Sequence, residues 1–123
     1  PIDTQLADAE KRIGEMAQHL CEAEGVEWTC EQLVRLAPVD FSPEVIELIE
    51  SGAQKLGLSH RRMVSGAGHD AQIVRSIAPA GMIFVPSIGG IIHNLHENTS
   101  DADLMAGAQL LLKTFLSLAD KSS

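Results

Sequence analysis

The sequence predicts an α/β protein, and three patterns carry that expectation. Residues 6–24 and 44–56 repeat apolar side chains at the spacing of an amphipathic helix. Residues 26–36 alternate apolar and polar side chains instead, the period of a strand with one wet face. Gly81–Val85 is an unbroken apolar run, as in a strand covered on both faces. Helices alternating with a buried strand point to a parallel or mixed sheet.

Taken in order, Pro1-Ile2-Asp3-Thr4 reads as the tail of a strand, and without an initiator Met the chain is expected to be a segment of something longer. Leu6, Ala9, Ile13, Met16, Ala17 and Leu20 form the stripe of the first helix. Asp8 and Glu10 suit the positive end of its dipole, and Gly25 closes it as a C-cap would. Val26, Trp28, Cys30, Val34 and Leu36 then alternate with Glu27, Thr29, Glu31 and Arg35 as a strand. Pro38 and Pro43 bracket the clearest boundary, dividing the chain into pieces of two domains, residues 1–37 and 38–123. Ser42 is a good N-cap and Pro43 a good first helical residue. The helix they open turns Val45, Ile46, Leu48, Ile49, Ala53 and Leu56 inward and ends at Gly57. An extended piece from His60 to Val64 leads into a Gly-rich loop, and a short helix follows from Asp70 to Ile77, stopped by Pro79. After the Gly81–Val85 run, Thr99 or Ser100 caps a last helix striped by Leu104, Ala108, Leu111, Phe115 and Leu118.

Composition bounds the function. A length of 123 residues fits one domain or a piece of one. A formal net charge of −8 argues against a nucleic-acid partner, which needs a basic stripe. No apolar run approaches the ~20 residues that span a bilayer, and the first residues lack the basic region and apolar core expected of a signal peptide. Cys21 and Cys30 are too few for a disulfide framework or a four-ligand zinc site, as in a cytoplasmic protein.

Two loops carry candidate chemistry. In Ser65-Gly66-Ala67-Gly68-His69-Asp70, the glycines let a ligand approach the backbone closely and leave N–H groups free at a helix start, a natural anion site. His69 adds a titratable donor able to polarise a carbonyl or steady an oxyanion; the alternative is a tight turn with a capping Asp70. The second loop is Ile92-His93-Asn94-Leu95-His96-Glu97-Asn98-Thr99. There His93, His96 and Glu97 could form a small metal cluster, or be plain polar loop residues. His19 and His60 read as surface residues.

The runs Ser65–Gln72, Ala78–Gly90 and His93–Thr99 together resemble the C-terminal part of the metal-dependent N-carbamoyl-amino-acid amidohydrolases. That family includes N-carbamoyl-L-amino-acid hydrolases, allantoate and ureidoglycolate amidohydrolases and one type of β-ureidopropionase. The resemblance runs from about residue 1 to 119. It implies a zinc-peptidase-like α/β catalytic domain, entered at residues 38–123, interrupted by an inserted α/β lid and dimerisation domain that ends in residues 1–37. It further implies a cytoplasmic homodimer with no membrane or nucleic-acid partner. Two divalent metal ions, zinc, manganese or nickel, would activate water against the ureido C–N bond of a small amino-acid-like substrate. His93 falls on the last metal ligand, His69 on the loop histidine that supports the tetrahedral transition state, and Gly68, with Gly66 and Ala67, on main chain that meets the substrate.

Three positions depart from the family pattern. Ile92 replaces the usual Ser before the ligand histidine, and Leu95 the frequent Pro two residues after it. Asp3-Thr4-Gln5 falls on the family's Asp-x-Arg, so Gln5 takes the place of an arginine that clamps the substrate carboxylate and cannot form its charged bidentate pair. The remaining metal ligands and the general-base Glu lie outside these 123 residues, so the isolated chain is expected to be inactive without the rest of its catalytic domain. Two other readings compete: a non-catalytic binding or dimerisation module that keeps the fold, and an anion- or nucleotide-binding domain resting on the Gly-rich loop.

Overall fold

A computed structural model describes residues 3–120, and the chain divides into two compact units, Pro1–Asp40 and Phe41–Ser123. The first unit is built on α1 (Asp3–Glu24). Asp3 and Thr4 belong to this helix rather than to the strand tail expected of them, while Pro1 and Ile2 lie outside the described residues. Gly25, at φ 67°, ends α1 as the sequence predicts, with the Val26 N–H returning 3.0 Å to the Cys21 carbonyl. The chain then runs back along the helix. Trp28 Nε1 donates to Gln18 Oε1 at 2.8 Å, and Arg35 reaches Asp3 at 2.7 Å and Glu10 at 3.1 Å. Residues 26–36 lie where a strand was expected, but they carry no ladder, because the described part of the first unit holds only α1 and this one extended segment. No residue of α1 is buried, and its apolar stripe is open at Ile13, Met16 and Leu20.

The second unit rests on α2 (Pro43–Lys55) and α4 (Asp101–Asp120), which pack on each other. Pro43 stands in the first turn of α2, and Ser42 holds the N-cap position without a side-chain cap bond. Ser42 spends its backbone N–H on the Ala80 carbonyl at 2.9 Å, tying the start of α2 to the apolar run. Beyond Lys55, Gly57 at φ 67° lets the Leu58 N–H reach back to the Ala53 carbonyl at 2.9 Å. Ser100 caps α4, its Oγ accepting the Asp103 N–H at 3.1 Å and donating to Asp103 Oδ2 at 2.6 Å. The core between the helices is small: Gly52, Ala53, Leu110 and Thr114, with the Thr114 hydroxyl satisfied by the Leu110 carbonyl at 2.8 Å.

The Gly81–Val85 run lies across both helices. A Cβ on Gly81 would come within 2.8 Å of Val45 Cγ1, and one on Gly107 within 2.5 Å of Val85 Cγ1, so glycines let backbone and helices approach this closely. The run was expected as a strand covered on both faces. It forms no ladder among the described residues, and Phe84 and Val85 stay exposed, since no neighbouring extended segment covers their other side. The described elements are thus all helical, and the sheet half of the α/β expectation has no counterpart among them. The composition argument saw no apolar run of membrane-crossing length, yet α4 is long and apolar enough by those criteria alone. Only Leu110 and Thr114 of α4 are buried among the described residues, and Asp103 and Lys113 lie along it.

Candidate active site

The Gly-rich loop ends on α3 (Asp70–Arg75), shorter than the expected Asp70–Ile77, with His69 at its N-cap in an extended conformation. Gln72 closes this turn reciprocally. Its N–H donates to the His69 carbonyl at 2.9 Å, and its Oε1 accepts the His69 N–H at 2.9 Å. The His69 ring is half-buried, with Nε2 2.8 Å from Ser65 Oγ. Its plane meets Phe84 edge-on, centroids 5.5 Å apart at 62°. Phe84 belongs to the apolar run, so the packing of Gly81 and Val85 on α2 and α4 also places the wall behind His69.

The expected row of free N–H groups is only partly present. Ala67 N–H is taken by Ser65 Oγ at 3.3 Å and His69 N–H by Gln72, because the loop's own side chains reach them first. The N–H groups of Gly66 and Gly68 have no partner among the described residues, and both glycines are exposed. A general anion cradle is thereby narrowed to two exposed main-chain donors beside one held imidazole.

His93 lies in the second loop, after the 3-10 turn Ile88–Gly90, where Gly89 and Gly90 sit at φ 66° and 69°. Ile88 N–H donates to the Asn98 carbonyl at 2.8 Å and closes the loop at its base. The Ser87 hydroxyl bonds the Ile91 and Asn98 carbonyls across the same neck. Inside, His96 N–H donates to Asn94 Oδ1 at 3.0 Å and Glu97 N–H to the Asn94 carbonyl at 3.0 Å. His93 is the one non-glycine residue at positive φ, 53°, among the described residues. Its N–H donates to Glu97 Oε2 at 2.7 Å. That bond explains why the cluster of His93, His96 and Glu97 does not form: the carboxylate is turned onto the backbone, and no group of three or more His, Cys, Asp or Glu among the described residues is set to hold a metal. The His93 imidazole is exposed and unengaged there, while Ile92 and Leu95 beside it are also exposed.

The second unit thus carries His69, the Gly66–Gly68 backbone and His93 on loops at either end of the Gly81–Ser87 stretch. Gln5 lies exposed on the first turns of α1 in the first unit. Sequence reasoning did not single out Ser65, Gln72, Phe84 or the backbone role of Glu97. The four-residue spacing of Ser65 and His69 was visible, but a Gly-rich loop has no fixed period that would make it a contact.

The pattern that defines peptidase family M20/M25/M40 matches residues 4–117. The N-carbamoyl-L-amino-acid amidohydrolase of Rhizobium meliloti is 38% identical over 120 residues, 98% of this chain and 29% of that protein. The allantoate amidohydrolase of Bacillus subtilis is 36% identical over 100 residues, 81% of this chain and 24% of that protein. Among solved structures, an amidase of the hydantoinase/carbamoylase family from Burkholderia vietnamiensis superposes with a TM-score of 0.86 at 37% identity, covering 95% of this chain and 28% of the other. The chain therefore spans less than a third of the length of these relatives. From Gln5 on α1 to His93 ahead of α4, the candidate residues fall within one matched stretch, and the chain belongs to peptidase family M20/M25/M40.

Proposed function

We propose that the chain is the C-terminal part of a metal-dependent amidohydrolase that cleaves the N-carbamoyl (ureido) C–N bond of a small amino-acid-like substrate. The observation that carries this reading is the pairing, in one compact unit, of a held imidazole at His69 with an open one at His93, in a chain 38% identical to a named N-carbamoyl-L-amino-acid amidohydrolase. An exposed neutral imidazole is a fitting donor for a divalent cation, so His93 would supply one ligand, the others coming from the remainder of the catalytic domain. Two such ions, zinc, manganese or nickel, when bound, polarise the ureido carbonyl and activate water.

The chain's own groups do the rest. His69, set edge-on against Phe84, offers an N–H to the oxygen that gains negative charge as the carbonyl becomes tetrahedral. Gly68 and Gly66 offer main-chain N–H groups to a substrate carboxylate, and having no Cβ they let it approach the backbone closely. Gln5 presents a neutral amide in place of a guanidinium, which weakens selection for a charged end. A cytoplasmic homodimer completes the proposal, and the net charge of −8 supports the absence of a nucleic-acid partner.

The test is His93→Ala in the complete protein. Metal content and ureidase activity should both fall, by more than the about 10- to 100-fold lost when only an outer partner of a ligand is removed. Full metal occupancy and full turnover in that variant would overturn the assignment. Ile92 and Leu95 favour a second reading, a binding or dimerisation module without catalysis. That reading expects no zinc, manganese or nickel by elemental analysis of the complete protein and no ureidase activity.

A further inference from the structure

Of the groups the proposed reaction does not use, Ser65 is the one with a built-in partner. Its Oγ lies 2.8 Å from His69 Nε2 and also accepts the Ala67 N–H at 3.3 Å. Ser65 and His69 are half-buried, whereas Gly66, Ala67 and Gly68 between them are exposed. The contact is thus the inner side of the loop and the substrate-accessible backbone its outer side. The backbone of His69 is pinned by Gln72 at 2.9 Å and one edge of the ring is stopped by Phe84. Rotation about the side-chain bonds remains, and Ser65 is the polar contact that arrests it.

The same contact governs the proton. An imidazole can be a donor at one nitrogen and an acceptor at the other, and the hydrogen bond made by one nitrogen decides the role of its counterpart. We propose that Ser65 is a positioning residue for His69: its hydroxyl fixes the orientation and tautomer of the ring, so that the imidazole is already aligned when charge develops on the substrate oxygen. This rests on the role given to His69 above. Alignment before the reaction is what makes such a donor effective, because no reorganisation is then required during it.

The test compares Ser65→Ala, Ser65→Thr and His69→Ala in the complete protein, with the His69 ring nitrogens followed by 15N NMR. Ser65→Ala should lower kcat by about 10- to 100-fold, as a misplaced catalytic group does, with little change in KM. It should also change the ratio of the two His69 tautomers. Ser65→Thr, which keeps the hydroxyl, should restore both quantities; a role in folding alone would alter neither tautomer ratio nor kcat selectively. Wild-type kcat in Ser65→Ala beside a crippled His69→Ala overturns the proposal, as does failure of Ser65→Thr to restore the tautomer ratio. Wild-type kcat in His69→Ala overturns the underlying role of His69 instead, so the two readings fail separately.

Discussion

His93 holds a left-handed backbone conformation that costs a non-glycine residue about 1–3 kcal/mol, and such strain persists only where neighbours enforce it. The enforcing neighbour is Glu97, whose carboxylate accepts the His93 N–H at 2.7 Å in a charge-assisted bond. Glu97→Ala should therefore loosen the loop without touching the imidazole. In the complete protein, metal retention against a chelator is expected to fall by about 10-fold, the lower part of the range for losing a partner that orients a ligand. Unchanged retention would show that the His93 conformation is set elsewhere in the loop. This pair also marks how far the sequence could be read. Residue identities placed Glu97 close to His93, but a four-residue spacing does not say whether a carboxylate will meet a metal, a ring or a backbone N–H.

At the scale of elements, the close contacts of the second unit centre on glycines. A Cβ on Gly107 would lie 2.5 Å from Cγ1 of Val85, a β-branched side chain with little freedom to turn away. Gly107→Ala gains up to about 1 kcal/mol of helix propensity, but overpacking costs about 1–3 kcal/mol, so a net loss of stability is expected. Chemical denaturation followed by helical circular dichroism should show it, and adding Val85→Ala should recover most of it. Stability above wild type in the single variant would contradict the contact. The helices themselves were legible because their ends carry local signals: Pro43 and Gly57 for α2, Ser100 for α4, Gly25 for α1. The Gly81–Val85 run was legible as apolar and extended. Its status as a strand was not, since a ladder depends on a second segment that no local pattern reports.

Across the whole molecule the charge is strongly acidic, and in both units arginine pairs with carboxylates: Arg35 with Asp3 and Glu10 in the first, Arg62 with Glu50 in the second. The Arg62 hydrogen bond at 2.6 Å, opposed by partial burial, holds the Glu50 carboxyl below the usual glutamate range. A carboxyl whose folded value is depressed stabilises the fold above its unfolded value, and that contribution is lost as pH falls through the folded value. Acid unfolding of the wild type should thus include a Glu50 component, and Arg62→Ala should reduce it, so that the two proteins converge in stability at low pH. A constant gap between them from neutral to acid pH would exclude the pair as its source. Family membership was legible at this scale because its marks are contiguous loops, Ser65–Gln72 and His93–Thr99. The further metal ligands that the proposed function requires beside His93 were not, because no group of three or more His, Cys, Asp or Glu set to hold a metal lies among the described residues.

Trp28, hydrogen-bonded to Gln18 on α1, is the sole tryptophan of a sequence that has no tyrosine. Intrinsic fluorescence therefore reports on the first unit alone, while the unit bearing His69 and His93 has only phenylalanine as its chromophore. Far-ultraviolet dichroism sees helices of both. Melting the chain under the two probes at once separates the units without any label: coincident curves mean one cooperative transition, and divergent curves mean that each unit unfolds on its own terms.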